Sequence, residues 1–306
     1  MSVNLQLLGI QAIPRLAKKL NVQVEFPRWP KFFGISPIDF QKILSEAERI
    51  VRQLFEDFKV SWWDIYLNSD IGIERMALAK EMKLREDDIV LDVGCGRGYF
   101  TIAAAKNVKF VVGLDLMNGY GRQGWWKNFK TTMQELNLLK NVQGMRSDAQ
   151  QLPFEENSFT VVAAVHSIRN FPNKQSIERA ISEMKRVVVE GGSVIVVENL
   201  PVARTKAQEA HLKMFKCKVK YSSGELYYFS KRELLEMFRK TGFRNDDVEI
   251  KILDYNLSAT PPLFSLNASL LSEEKREYNE AVEMIRKWGE ASPPTILIKA
   301  TKHTHK

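Results

Sequence analysis

The chain has 306 residues, 44% hydrophobic and 27% charged, which excludes a disulfide- or metal-stapled mini-domain, a mostly disordered chain and a membrane bundle. Its two cysteines, Cys95 and Cys217, are too few for a disulfide framework or a four-thiolate metal site, so a reducing, cytoplasmic compartment and no metal are expected. The net charge of +8 favours anionic partners and says nothing about fold.

In chain order, Pro27, Pro30 and Pro37 break up the early part. Pro37–Phe58 then reads as an amphipathic helix, with Ile38, Ile43, Leu44, Ile50, Val51, Leu54 and Phe58 on one broad face. Residues 1–85 are expected to form a helical cap on a sheet domain spanning 86–306. Ile89–Val93 is a short strand ending in Gly94-Cys95-Gly96-Arg97-Gly98, followed by a helix from Tyr99 to Lys106. Phe110–Leu114 is a second strand ended by Asp115, and Trp125–Leu139 a helix. Val142–Arg146 and Phe159–Val165 are the next strands, Ser176–Val188 has helical spacing, and Gly191-Gly192 turns into a fifth strand, Ser193–Val197. Strands alternating with helices predict a mostly parallel, Rossmann-like α/β sheet with helices on both faces.

Beyond this the pattern loosens. Ala203–Lys218 reads as a basic helix and Tyr221–Phe229 as a turn or hairpin. Lys231–Lys240 is a helix ended by Gly242, Val248–Leu253 and Thr295–Lys299 are late strands, and a charged helix covers about Ser272–Trp288. The N-terminal stretch shows no targeting pattern. The apolar runs, such as Val161–Val165, fall far short of the ~20 residues that a membrane span needs.

The glycine motif, Asp92-Val93-Gly94-Cys95-Gly96-Arg97-Gly98, is spaced G-x-G-x-G, not the dinucleotide spacing G-x-G-x-x-G. Glycines there let a ligand press on the backbone. Asp115, at the end of the next strand, can accept from both hydroxyls of a ribose, and Asp148, before Ala149, can accept from an adenine amine. On these residues the chain resembles the class I S-adenosylmethionine-dependent methyltransferases (the type 11 methyltransferase core), over residues 85–200 strongly and 231–300 loosely. The resemblance implies a seven-stranded sheet with its last strand antiparallel and S-adenosylmethionine as cofactor. It places Asp92, Gly94, Gly96 and Gly98 at the methionine end, Asp115 on the ribose, Met117 against the adenine and Asp148 on its amine. Cys95, Leu116, Ala149 and Val165 are counted with that site.

In an open α/β sheet the reacting atoms lie beyond the carboxyl end of the fourth strand, here Val165-His166-Ser167-Ile168-Arg169-Asn170-Phe171. This lacks the Asn/Asp-Pro-Pro-aromatic motif of many amine-methylating relatives. It is similar to the Gly-Leu-Arg-Asn segment of the ubiquinone/menaquinone C-methyltransferase (UbiE-like) group, with Ser167, Ile168, Arg169 and Asn170 on those positions. Trp63-Asp64-Ile65-Tyr66-Leu67-Asn68 and Ile71-Gly72-Ile73-Glu74-Arg75 are similar to that group's Tyr-Asp…Asn-Asp…Gly-Ile-His-Arg segment, which would close over the cofactor. His166, Ser167, Asn170 and Glu198 are the catalytic candidates. His166 could accept a proton or polarise an amine, because an imidazole titrates near neutral pH.

Three basic and aromatic clusters bear on substrate. Arg204, Lys206, Lys213, Lys216, Lys218 and Lys220 are opposed only by Glu209, in a stretch (201–230) read as a basic insertion near the substrate mouth. Arg122, Trp125, Trp126, Lys127, Phe129 and Lys130 form a second cluster, and Arg15, Lys18, Lys19, Arg28, Trp29 and Lys31 a third. Basic grooves attract phosphates and aromatic faces stack bases. The expected substrate is therefore an RNA nucleobase, in ribosomal RNA, a ribosomal subunit or transfer RNA, with the exocyclic N4 amine of a ribosomal RNA cytidine as a candidate target. The clusters bring in a similarity to archaeal-type ribosomal RNA cytosine-N4 methyltransferases. Arg169, Trp125, Trp126, Lys213, Lys216, Lys218 and Tyr228 are the substrate-binding candidates. The alternative is a UbiE-like C-methyltransferase acting on a quinone or other small molecule.

Overall fold

Seven strands form one sheet in the order β3-β2-β1-β4-β5-β7-β6, with β1 Ile89–Val93, β2 Phe110–Asp115, β3 Val142–Arg146, β4 Phe159–Val165, β5 Val188–Asn199, β6 Val248–Leu253 and β7 Thr295–Thr301. The first five pair in parallel, and β7 runs antiparallel to both β5 and β6. The structure is a computed structural model that describes residues 3–26, 33–117, 125–221, 228–259 and 276–303.

The chain divides into two units. The second unit, Ala77–Pro201, Gly224–Asp254 and Pro294–Lys306, holds the sheet with α5 Tyr99–Ala105, α6 Trp125–Glu135, α7 Lys174–Val187 and α9 Lys231–Lys240. Its β1, β4 and β5 are rich in β-branched residues and largely buried on both faces, as central parallel strands between helical layers must be. Residues from β4, α7, β5, α9 and β7, among them Val162, Ile181, Val196, Phe238 and Ile298, share one apolar core.

The fifth strand departs from expectation. β5 begins earlier, at Val188, and Gly191-Gly192 form an irregularity within it, where the pairing with β4 passes from Phe159–Val188 to Val161–Ser193 and Gly191 has φ 75°. The Gly191 amide donates to Lys302 O and the Lys302 amide to Gly192 O, so this stretch is paired to the end of β7. A Cβ on Gly192 would fall 2.6 Å from Thr160 O, which explains a glycine inside a strand.

The first unit is Met1–Met76, Val202–Ser223 and Tyr255–Pro293. It contains α1 Val3–Leu20, α2 Pro37–Phe58, α3 Trp62–Asn68, most of α4 Asp70–Glu81, α8 Lys206–Tyr221 and α10 Arg276–Trp288. The division therefore differs from a linear split at residue 85. Two helices from the C-terminal half join the N-terminal ones because α8 packs on α10 and a buried polar chain ties the three segments together. In that chain Gln11 donates to Ser258 O at 2.7 Å, the Ser258 amide donates to Asp70 at 3.0 Å, and the Glu290 carboxylate takes Ser258 Oγ and His211 Nδ1. Helix α2 keeps its predicted bounds because Ser36 caps its first turn, Pro37 starts it and Lys59 closes it in the left-handed region.

Candidate active site

The carboxyl ends of β1, β2 and β4 converge where the strand order reverses, the place at which open α/β sheets bind ligands. The glycine loop leaves β1 with Gly94, Gly96 and Gly98 at φ of 71°, 52° and 81°. A Cβ on Gly94 would lie 2.6 Å from Ser167 Cβ, and one on Gly98 would lie 2.5 Å from Met133 Cε. Backbone conformation and close approach thus both require glycine. The Gly94 and Cys95 amides donate to Leu114 O, clamping the loop to β2.

Asp115 is the hinge of this arrangement. Its Oδ2 accepts from the Gly96 amide and its Oδ1 from the Met117 amide, each at 2.9 Å. Met117 itself has φ 52°, an unusual backbone for a non-glycine residue that the Asp115 contact helps hold. Asp92 is buried and accepts from Thr101 Oγ1 at 2.6 Å. Burial, then the nearby Asp92 and Asp115 charges, push the Cys95 thiol well above its ordinary range, so this cysteine stays a neutral wall of the loop. Asp148 accepts from the Gln150 amide at 2.9 Å, and Ala149 and Val165 are buried beside it in sequence and at the end of β4.

A second cluster sits at the ends of β4 and β5. The register pairs Val165 with Val197, and the His166 amide donates to Val197 O at 2.8 Å, which sets His166 and Glu198 side by side. Arg169, from the 3-10 turn Ile168–Asn170, places Nη2 2.8 Å from Glu198 Oε2, 2.6 Å from His166 Nδ1 and 3.1 Å from Asn199 Oδ1. Its guanidinium also lies 5.2 Å from the centroid of the Tyr228 ring. Glu198 is 1% exposed, and that burial pushes its carboxyl above the ordinary range despite Arg169.

Several expected site residues have other duties. The Ser167 hydroxyl is buried and donates to Val93 O at 2.9 Å, tying the turn to β1. Asn170 Nδ2 donates to Ser167 O at 3.3 Å, capping its own turn. Leu116, 39% exposed, and Trp126, 41% exposed, stay open to solvent; Trp126 stacks on Phe129 over the side-chain-free face of Gly144. Lys213 and Lys216 belong to the first unit, where Lys213 pairs with Glu280 at 2.6 Å and Lys216 is exposed. The side chains of Trp125 and Lys218 lie outside the described residues, as does most of the expected 221–229 hairpin. Thr101 and Asn199 were not among the candidates. Thr101 could have been found as the single aliphatic hydroxyl in an otherwise apolar helix start, Tyr99–Ala105.

The residues suit S-adenosylmethionine. That molecule has hydroxyls and an amine to donate and no pyrophosphate, and the site offers a bare backbone cradle with the acceptor carboxylate of Asp115 beside it. Residues 91–196 match the family model of a methyltransferase domain. The demethylmenaquinone methyltransferase of Staphylococcus aureus (strain JH9) is 33% identical over 202 residues, covering 58% of this chain and 79% of that protein. The chain belongs to the class I S-adenosylmethionine-dependent methyltransferases.

Solved structures agree with this methyltransferase in fold. The cyclopropane-fatty-acyl-phospholipid synthase-like protein of Lactobacillus casei ATCC 334 superposes with a TM-score of 0.58 at 15% identity, over 78% of this chain and 92% of that one. The YcgJ protein of Bacillus subtilis gives 0.54 at 17% identity, over 76% of this chain and 100% of that one. At such identities the likeness speaks for architecture alone, and the chemistry is argued from the site. Among the described residues no helix is long and apolar enough to cross a membrane.

Proposed function

We propose that this methyltransferase methylates a ring carbon of a small molecule of the quinol class. The observation that carries the reading is the Arg169 cluster, a cation and an imidazole at the carboxyl ends of β4 and β5. It falls on the Arg-Asn segment that the chain has in common with quinone C-methyltransferases, and the curated relative named above acts on demethylmenaquinone by its name.

When bound, the cofactor supplies a methyl group already activated on a sulfonium. A carbon nucleophile then needs electron density, and a ring carbon beside a hydroxyl that has given its proton to solvent has it; the proton displaced from that carbon also passes to solvent as the ring regains its aromaticity. The protein's part is to align the ring, worth up to about 7–11 kcal/mol in well-oriented cases, and to favour the ionised form of its hydroxyl. Arg169 supplies fixed positive charge at that point, and the Tyr228 ring against which it lies offers an apolar wall. Asp115 and Asp148 would hold the nucleoside end, and Gly94, Gly96 and Gly98 would pass along its methionine end.

The RNA reading has less behind it. Lys206 pairs with Glu209 at 2.8 Å, Lys213 pairs with Glu280, and Arg15 pairs with Asp70, so these cations are partly neutralised where phosphates would need them. Trp126 is stacked on Phe129, which leaves it less free to receive a base.

The test is incubation with methyl-labelled cofactor and, separately, a lipid extract kept reduced, total RNA and intact ribosomal subunits. Label in a quinol of the lipid fraction is the expected result. Label in RNA or subunits, with none in lipid, overturns the proposal.

A further inference from the structure

The cluster at the ends of β4 and β5 determines more than where charge sits. A guanidinium has five N–H donors and no acceptor. The 2.6 Å contact from Arg169 Nη2 to His166 Nδ1 therefore makes that nitrogen an acceptor, with its lone pair in use. A neutral imidazole in this contact carries its proton on Nε2. A second proton, on Nδ1, would break the bond and set an imidazolium against a guanidinium.

Among the described residues, charged groups that face the ring are Arg169, from the turn after β4, and Glu198, from β5. Glu198 alone would favour an imidazolium. Its Oε2 lies 4.0 Å from Nδ1 but 2.8 Å from Arg169, so its charge is spent mainly on the guanidinium. Burial also disfavours the ionised form of that carboxyl. The arginine itself is held from three further sides, by Glu198, by Asn199 Oδ1 at 3.1 Å and by the Tyr228 ring. His166 has little freedom to turn away. Its backbone is in the left-handed region at φ 52°, and its amide is bonded to Val197 O.

We propose that Arg169 locks His166 as its Nε2–H tautomer, so that His166 serves the methyl transfer as a hydrogen-bond donor to a substrate oxygen and not as the proton acceptor. The tautomer stands on the protein's geometry alone; the identity of the oxygen, a ring hydroxyl or its oxyanion, rests on the quinol reading. This reverses the role in which a histidine at this position is first cast. Arg169 is then a positioning residue, acting through the imidazole, in addition to its own charge.

The deciding measurement needs no substrate. In the full-length protein labelled with ¹⁵N-histidine, the ring nitrogens of His166, assigned by comparison with His166→Gln, should show a protonated Nε2 and a bare Nδ1. That pattern should persist across about pH 5.5–8, the range in which an ordinary histidine titrates. Arg169→Met should release the ring to take its second proton in that range. An imidazolium at neutral pH, or a proton on Nδ1, in the unmodified protein overturns the proposal even if the Arg169 variant fails to fold.

Activity gives the second arm. His166→Phe should lower kcat on the order of 100-fold, as loss of one hydrogen bond that favours the ionised hydroxyl does. His166→Gln, which keeps an N–H donor and cannot act as a base, should recover at least about tenfold of that loss. Equal loss in both variants, with kcat falling at low pH as a histidine base protonates, identifies His166 as the base instead. A substrate outside the quinol class would leave the nitrogen shifts untouched, so the two proposals fail separately.

Discussion

Asp115 is one residue with two obligations. Its carboxylate closes the turn by taking the Gly96 and Met117 amides, and it is the group proposed to hold the ribose. Hydrogen bonds to a charged acceptor contribute roughly 1.5–3 kcal/mol each, so Asp115→Ala should weaken cofactor binding on the order of 100-fold or more, read by calorimetry. Unchanged affinity would remove the assignment. The same variant leaves two loop amides without their acceptor, so some loss of thermal stability should accompany it. Asp115 was legible in sequence because an acid closing the second strand of such a sheet needs only local order to be placed. The Arg169 cluster was legible by halves. The strand-end positions of His166 and Glu198 follow from topology, but their adjacency depends on the Val165–Val197 register, and the tautomer depends on a contact of 2.6 Å. No spacing in the chain encodes that distance.

Single elements show the same division between local and non-local causes. α9 has its predicted bounds, Lys231–Lys240, because its signals are all within the segment: Ser230 and Glu233 form a reciprocal capping box, and Gly242 follows in the left-handed region. α1 was not anticipated. Leu5, Leu7, Leu8, Ile10, Ala12 and Ile13 are all fully buried, so it lacks the one-sided period that marks an amphipathic helix, and Pro14 lies inside it. Glu233 makes α9 testable by pH. Lys174 at 2.7 Å, with the Ser230 amide and hydroxyl, lowers its carboxyl to about 2. A folded value below the ordinary carboxylate value means that the stabilisation is complete above about pH 4.5 and is lost as pH falls toward 2. The side chain is 38% exposed, so solvent screening reduces the effect to about 1 kcal/mol. Denaturant unfolding should therefore show Glu233→Gln less stable than the unmodified protein by about that amount at pH 7, with the gap closing below about pH 4.5. A gap that stays constant down to pH 3 would mean that the loss comes from packing and not from charge.

At the scale of the whole molecule, the chain leaves the sheet unit after β5 and returns to it before β6, then leaves again after β6 and returns for β7. Each excursion adds helix to the unit that begins the chain. Segments so far apart in sequence carry no shared period or spacing, which is why residues 1–85 read as a cap complete in itself. The link is chemical and buried: Glu290 takes both Ser258 and His211, and Ser258 in turn meets Gln11 and Asp70. A buried acceptor deprived of one partner costs roughly 1–3 kcal/mol, and here the cost falls on a junction of three segments. His211→Leu should thus loosen the unit as one body. Hydrogen exchange should rise together in peptides from α1, α8 and α10, while β1, β4 and β5 keep their protection and calorimetry still detects cofactor binding. A rise confined to α8 would mean that the polar junction is a local bond. The three segments would then be held by their apolar packing alone, and the first unit would have to be treated as separately stable helices.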